Sequence, residues 1–180
     1  MTIAIIILVV LALIFVSIYN GLVGKRNKVK NSWGQIDVQL KRRFDLIPNL
    51  VETVKGYAAH EKTTFEQVTE ARTKYMSAGS PEDMMKANGE LTRVLGRLFA
   101  VAESYPELKA NANFQELQAE LSKTEDKISF ARQFYNDVVM DYNNAVQMFP
   151  SSFVASLTGF REEVFFSIDE TEKGAPQVKF

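Results

Sequence analysis

Between Phe114 and Phe149, apolar or small residues recur at Phe114, Leu117, Leu121, Thr124, Ile128, Ala131, Tyr135, Val138, Tyr142, Ala145 and Phe149, in steps of three and four. That spacing is the stripe of one helix face packing into other helices at coiled-coil period. At about 1.5 Å per residue the helix is roughly 50 Å long, so the chain must supply partners of comparable length. Its 180 residues accommodate one core and a short appendage.

The appendage is N-terminal. Ile3 to Val16 is an unbroken apolar run, and Met1 to Gly24 carries no charged side chain. Extended to Val23, the run gives about 31 Å of helix, enough to cross a hydrocarbon core of about 30 Å. A cleaved secretory signal would need a basic residue before the run and a small-x-small cleavage site. Neither is present, and Ile18-Tyr19-Asn20 does not supply the second. The segment therefore reads as a retained anchor. Tyr19 stands where an interfacial aromatic belongs, and Lys25, Arg26, Lys28 and Lys30 follow at once. Seven basic residues and one acid lie between Lys25 and Arg43, a local charge of +6. With a net charge of −1, the rest of the chain carries −7. The positive-inside rule then predicts a single pass through a bacterial cytoplasmic (inner) membrane, with the N-terminus outside and the body in the cytoplasm. A basic flank beside a membrane on an otherwise acidic chain speaks against nucleic acid as a partner.

From Asn27 onwards Val29, Trp33, Ile36, Leu40, Ile47, Leu50, Val54 and Tyr57, then Phe65, Val68 and Tyr75, continue a helical stripe. Arg43 falls where the stripe wants an apolar residue. Pro48 removes a backbone donor, but the stripe resumes beyond it, which predicts a kink and not an end. Gly56 to His60 is a second point at which the helix can break. In Gly79-Ser80-Pro81, Gly79 suits a left-handed helix stop, Ser80 an N-cap and Pro81 a first helical position. Met84, Ala87, Leu91, Val94, Leu98, Val101 and Tyr105 mark the next helix, ended at Tyr105-Pro106. Asn111 or Asn113 can cap the long helix. After Phe149-Pro150, Ser151-Ser152 suit the cap of a short helix through Leu157, closed by Gly159. The fold class expected is all-α. An N-terminal transmembrane helix (1–24) precedes an up-and-down antiparallel bundle (25–160) of three long helices, four if the first breaks near Pro48 or His60, plus a short C-terminal helix. An extended tail (161–180) follows, with Val164, Phe165, Phe166, Ile168, Val178 and Phe180 as candidate docking residues.

Catalysis needs a positioned nucleophile, base or metal. No G-x-S-x-G, P-loop, H-E-x-x-H or dinucleotide glycine pattern occurs, and the absence of cysteine excludes disulfides and thiolate chemistry. Glu66 with Glu70, and Asp137 with Asp141, lie one turn apart. Bundle metal sites, however, use Glu-x-x-His motifs, and the single histidine, His60, forms none. These carboxylates read as solvated faces. Phe130, Phe134, Tyr135 and Tyr142 crowd one helix, and core packing accounts for three of them. No enzyme activity, cofactor or metal is expected.

Residues 19–72, YNGLVGKRNKVKNSWGQIDVQLKRRFDLIPNLVETVKGYAAHEKTTFEQVTEAR, together with AESYPELKANANFQELQ, KTEDKISFARQFYNDVVMDYN and the closing APQVKF, resemble the LemA family of bacterial membrane proteins. Ser32 and Gly34 stand where relatives tend to have Ala and Ser. The resemblance implies a single-pass anchor carrying an up-and-down helical bundle, with no established enzymatic activity. A magnetosome-associated relative points towards membrane organisation, and membrane-protease genes stand beside some relatives. Helix lengths add an independent expectation. If unbroken, residues 27–77 would reach about 75 Å against about 35 Å for the following helix, so part of the first would have no intrachain partner; a kink that folds residues 27–47 back as a separate helix would need no oligomer. The expected exposed face is Trp33, Ile36, Val38, Leu40 and Phe44, covered by other copies of the chain or by another membrane protein. A lipid bilayer, a homo-oligomer and a membrane partner are thus expected. The alternative is an adaptor that offers its tail to a membrane protease or chaperone.

Overall fold

The computed structural model describes residues 1–166. These form six helices and no strand: α1 (Thr2–Lys55), α2 (Lys62–Ser77), α3 (Pro81–Glu103), α4 (Pro106–Lys109), α5 (Ala112–Gln147) and α6 (Ser151–Thr158). The all-α class is as expected. Ile168, Val178 and Phe180 lie outside the described residues.

Two compact units divide the chain, and α1 and α5 contribute to both. The first contains Met1–Gln35 and Ala131–Phe165. Here the Lys25–Asp141 ion pair and the edge-on Trp33 and Tyr135 rings, 5.7 Å apart, set α1 and α5 antiparallel. Leu22, Val29 and Ser32 of α1 and Tyr135, Val139 and Tyr142 of α5 are buried. Ser32 satisfies its hydroxyl on the Val29 carbonyl (2.8 Å), so a small polar residue costs little on this face. The second unit contains Ile36–Phe130, with Phe166. In it α2 and α3 run antiparallel, with Lys74 beside Glu90 and Arg97 beside Gln67. The buried stripe of α1 continues here through Ile36, Leu40, Phe44, Ile47, Leu50 and Val54.

Helix α1 passes through Pro48 without ending. A proline inside a helix costs about 3 kcal/mol, whereas burying Phe44, Ile47, Leu50 and Val51 around it contributes roughly 1.5–3 kcal/mol each. Packing outweighs the lost hydrogen bond. The break comes instead at Gly56, where a residue without a side chain weakens helix propagation. Tyr57 and Ala58 both donate to the Val54 carbonyl, at 3.0 and 2.9 Å, and the chain turns back so that Lys55 lies over the Phe65 ring. Tyr57, read as part of the stripe, therefore sits in the turn, exposed, where its hydroxyl accepts from Asn111.

At the next turn Ser80 accepts from the Asp83 amide (3.1 Å) and Pro81 opens α3, as expected. Gly79 does not take the left-handed conformation: α2 ends on Ala78 in extended backbone, and Gly159 is the positive-φ residue among those described. Proline 106 opens a turn not expected from the sequence, α4, because a missing N–H is harmless in a first turn, and Leu108 is fully buried. Asn111 caps α5 by accepting from the Phe114 amide (3.0 Å). Neither serine caps α6. Pro150 occupies the cap position and Ser151 donates to the Met148 carbonyl. Gly159, at φ 77°, closes α6 and lets the Phe160 amide reach the Ala155 carbonyl.

Candidate membrane-proximal site

The charge-free start of α1 is bare: Ile3 to Val16 is nearly all exposed, and this helix alone among the described residues is long and apolar enough to cross a membrane. Helix α1 continues without interruption through Gly24 into the basic flank. Side chains reach further from there. Arg26 places its guanidinium 4.9 Å from the centre of the buried Phe160 ring, and Tyr19 meets the same ring edge-on at 5.8 Å. Phe160 thus meets the Tyr19 ring on its edge and the Arg26 cation at its face. Lys25, half-buried, pairs with the exposed Asp141, and solvent around the pair keeps it worth at most about 1 kcal/mol. Lys28 and Lys30 are exposed.

Beyond Phe160 the chain runs back along α5 as a strap. Tyr142 donates its hydroxyl to the Arg161 carbonyl (2.8 Å), and Tyr135 donates to that of Val164 (2.9 Å). Asn143 both donates to the Glu163 carbonyl and accepts from the Glu163 amide, each at 2.9 Å. One side-chain amide thereby supplies both partners that a neighbouring strand would give this extended backbone. Burial pushes the Tyr135 and Tyr142 phenols above their ordinary range, and the Glu163 charge adds to it; for Tyr142 the Arg26 charge pulls the other way.

Of the expected tail-docking residues, Val164 and Phe165 are exposed and Phe166 is buried. Of the expected self-association face, Ile36, Leu40 and Phe44 are enclosed by the chain itself, Trp33 is half-buried and Val38 is exposed. The turn at Gly56 sends α2 back along α1, stacking Phe44 on Tyr75 at 3.8 Å. A length mismatch computed for one unbroken helix therefore does not apply. Phe134, taken as packing in the core, is exposed, as is Phe130.

The second unit holds a buried polar group at Arg43, only 5% exposed. Its guanidinium donates to Asn88 Oδ1 (2.7 Å) and Thr92 Oγ1 (3.1 Å) and lies 2.9 Å from Glu125 Oε2. A residue out of place in the apolar stripe is thus matched by polar groups on α3 and α5. Glu66, Glu70, Asp137 and Asp141 are exposed, Glu70 beside Lys74 and Asp141 beside Lys25. Hydrogen bonding to Glu90 holds the Lys74 ammonium above the usual lysine range, on the rim of an open hollow of about 260 Å³ where α2 meets α3. Among the described residues no group of three or more His, Cys, Asp or Glu side chains is placed to hold a metal ion.

Sequence reasoning did not single out Asn143, Phe160 or Glu163. Their signal was weak: an asparagine at a buried helix position and one aromatic just past a glycine stop.

The sequence pattern of the LemA family matches residues 32–180, starting just beyond the apolar run and the first basic cluster. The chain is 27% identical to Magnetosome protein MamQ 2 of Paramagnetospirillum magneticum, over 82% of this chain and 64% of that protein. It is 26% identical to Magnetosome protein MamQ of Magnetospirillum gryphiswaldense over the same shares. The chain thus spans just under two thirds of these relatives. Protein LemA of Metamycoplasma hominis is 24% identical over 89% of this chain and 74% of its own length. The bare apolar helix suits a membrane anchor by length and composition, and the match over most of its length shows that the chain belongs to the LemA family.

Proposed function

We propose that the chain is a single-pass, membrane-anchored helical scaffold that acts by self-association or by binding another membrane protein. The observation that carries this reading is the continuity of α1, which passes from the bare apolar segment into the Arg26–Phe160 contact and the buried stripe without a break. A lipid-facing segment joined by unbroken helix to a packed unit fixes that unit's height and direction at the bilayer, as a scaffold requires. The basic flank Lys25, Arg26, Lys28 and Lys30 supports an orientation with the N-terminus outside the bacterial cytoplasmic membrane and the remainder in the cytoplasm. The magnetosome relatives support a role in organising membranes. Light scattering of the full-length chain in detergent tests self-association: the expected mass is a multiple of the monomer's. A monomer of undiminished helicity rejects self-association and leaves binding of a membrane partner.

A second reading, an adaptor that offers its C-terminal segment to a membrane protease or chaperone, draws support from Val164 and Phe165. Both are exposed beside backbone already held extended by α5. Removing residues 161–180, which takes away Val164 and Phe165, should then abolish partner capture without loss of helicity.

A further inference from the structure

From Tyr142 to Phe160 the sequence YNNAVQMFPSSFVASLTGF contains no charged side chain, the only run of that length outside the N-terminal segment. It comprises the end of α5, the turn and α6. Helix α6 buries Val154 and Ala155, yet its other face shows Phe153 and Leu157, one turn apart and both two-thirds exposed. The turn before it adds Met148 and Phe149, the latter 87% exposed although it continues the α5 stripe. A short helix that is apolar on both faces is covered by something other than water.

The register against α1 says what covers it. Lys25 faces Asp141 and Trp33 faces Tyr135, so moving back along α1 moves forward along α5. Tyr19 precedes Lys25 by as many residues as Gln147 follows Asp141, which sets the end of α5 level with Tyr19. The Tyr19–Phe160 ring contact fixes the end of α6 at the same level. The exposed corner therefore stands beside the place where the apolar span meets its basic flank. We infer that the α5–α6 corner, through Met148, Phe149, Phe153 and Leu157, inserts into the interfacial zone of the leaflet on the Lys25 side. This second membrane contact is additional to the spanning segment. Its occupant is lipid because the corner continues the charge-free surface of α1, lies at the depth of an interfacial tyrosine, and has the cations needed for anionic headgroups on its aqueous side. Two contacts on one unit would hold α1 at a set rotation, which a lone helix does not do.

The inference rests on reading α1 as the anchor, and one experiment separates the two. The full-length chain with Trp33→Phe receives a single tryptophan at Phe149, Phe153, Ile14 or Phe134 and is reconstituted in phosphatidylcholine–phosphatidylglycerol vesicles. The acyl chains are brominated either near the headgroup or near the terminus. All four positions tolerate an indole, since none is buried. Phe134, about 20 Å before the end of α5 at Gln147, is the aqueous control. Expected is an about two-fold or greater loss of emission for Phe149→Trp and Phe153→Trp with shallow bromine, for Ile14→Trp with deep bromine, and none for Phe134→Trp. Quenching at Ile14→Trp without quenching at either corner position overturns the corner contact and leaves the anchor standing. Blue-shifted but unquenched corner emission overturns it too and assigns the face to a second protein chain. Absence of quenching at Ile14→Trp overturns the anchor, and the inference with it.

Discussion

Asn143→Ala should release the strap without unfolding the protein. The Asn143 side chain makes two 2.9 Å hydrogen bonds to the Glu163 backbone, one in each direction, and the residue is only 6% exposed. Each bond has a net worth of about 0.5–1.5 kcal/mol. Glu163 is half-buried, so water reaches part of what is vacated and the combined loss should be about 2 kcal/mol. The Tyr142 and Tyr135 hydroxyls still hold Arg161 and Val164, which confines the opening to the residues between them. Amide hydrogen exchange of the full-length chain in detergent reads this directly. Two kcal/mol corresponds to about 30-fold faster exchange at Glu163. Amides of α1 should be unaffected, and Asn144→Ala, at an exposed neighbour, should change nothing. Exchange at Glu163 within about three-fold of the unsubstituted chain would refute the view that Asn143 holds the strap.

Other expected outcomes concern stability. Arg43→Met should cost about 1–3 kcal/mol in urea unfolding because it strands Asn88 in the core and takes the cation from Glu125; adding Asn88→Leu should recover the part due to Asn88, leaving the cost at the half-buried Glu125. Ser80→Ala removes the cap of α3 and should lower stability by about 1 kcal/mol, measured the same way. Burial raises the phenols of Tyr75, Tyr135 and Tyr142, and for Tyr75 the hydrogen bond to the Asp37 carboxylate adds to the shift. The fold therefore favours the neutral phenols. Their contribution is complete below the unfolded value of about 10 and is lost as pH rises through the raised folded values. Alkaline unfolding followed by circular dichroism should show stability falling above about pH 10, less steeply in Tyr75→Phe.

The α5 stripe is legible in the sequence because a helix face repeats whatever it packs against: Phe114, Leu121, Ile128, Tyr135 and Tyr142 are buried as their spacing predicts. Caps carried by a local side chain, such as Ser80 and Asn111, are legible for the same reason. Choices between two weak points are not. Pro48 looks the stronger breaker in the chain, but surrounding burial decides that α1 survives there and ends near Gly56. That decision in turn hides Ile36, Leu40 and Phe44, which a single unbroken helix would expose. Groups whose partners are remote in sequence, such as Arg43 with Asn88 and Glu125, or Asn143 with Glu163, leave only the trace of a polar residue at an apolar position. In the membrane-proximal site the basic residues are legible as charge, whereas Phe160, which Arg26 and Tyr19 both meet, is visible only once the strap returns along α5.

The absence of native cysteine permits the most direct test of the anchor and its orientation. Thr2→Cys and Gln35→Cys, both at exposed positions, would be placed singly in the full-length chain, produced in bacteria and treated with a membrane-impermeant maleimide before and after lysis. Labelling of Thr2→Cys in intact cells stripped of their outer barrier, with labelling of Gln35→Cys only after lysis, is the result expected of a single-pass scaffold with its bundle in the cytoplasm. Labelling of Gln35→Cys in intact cells would contradict it.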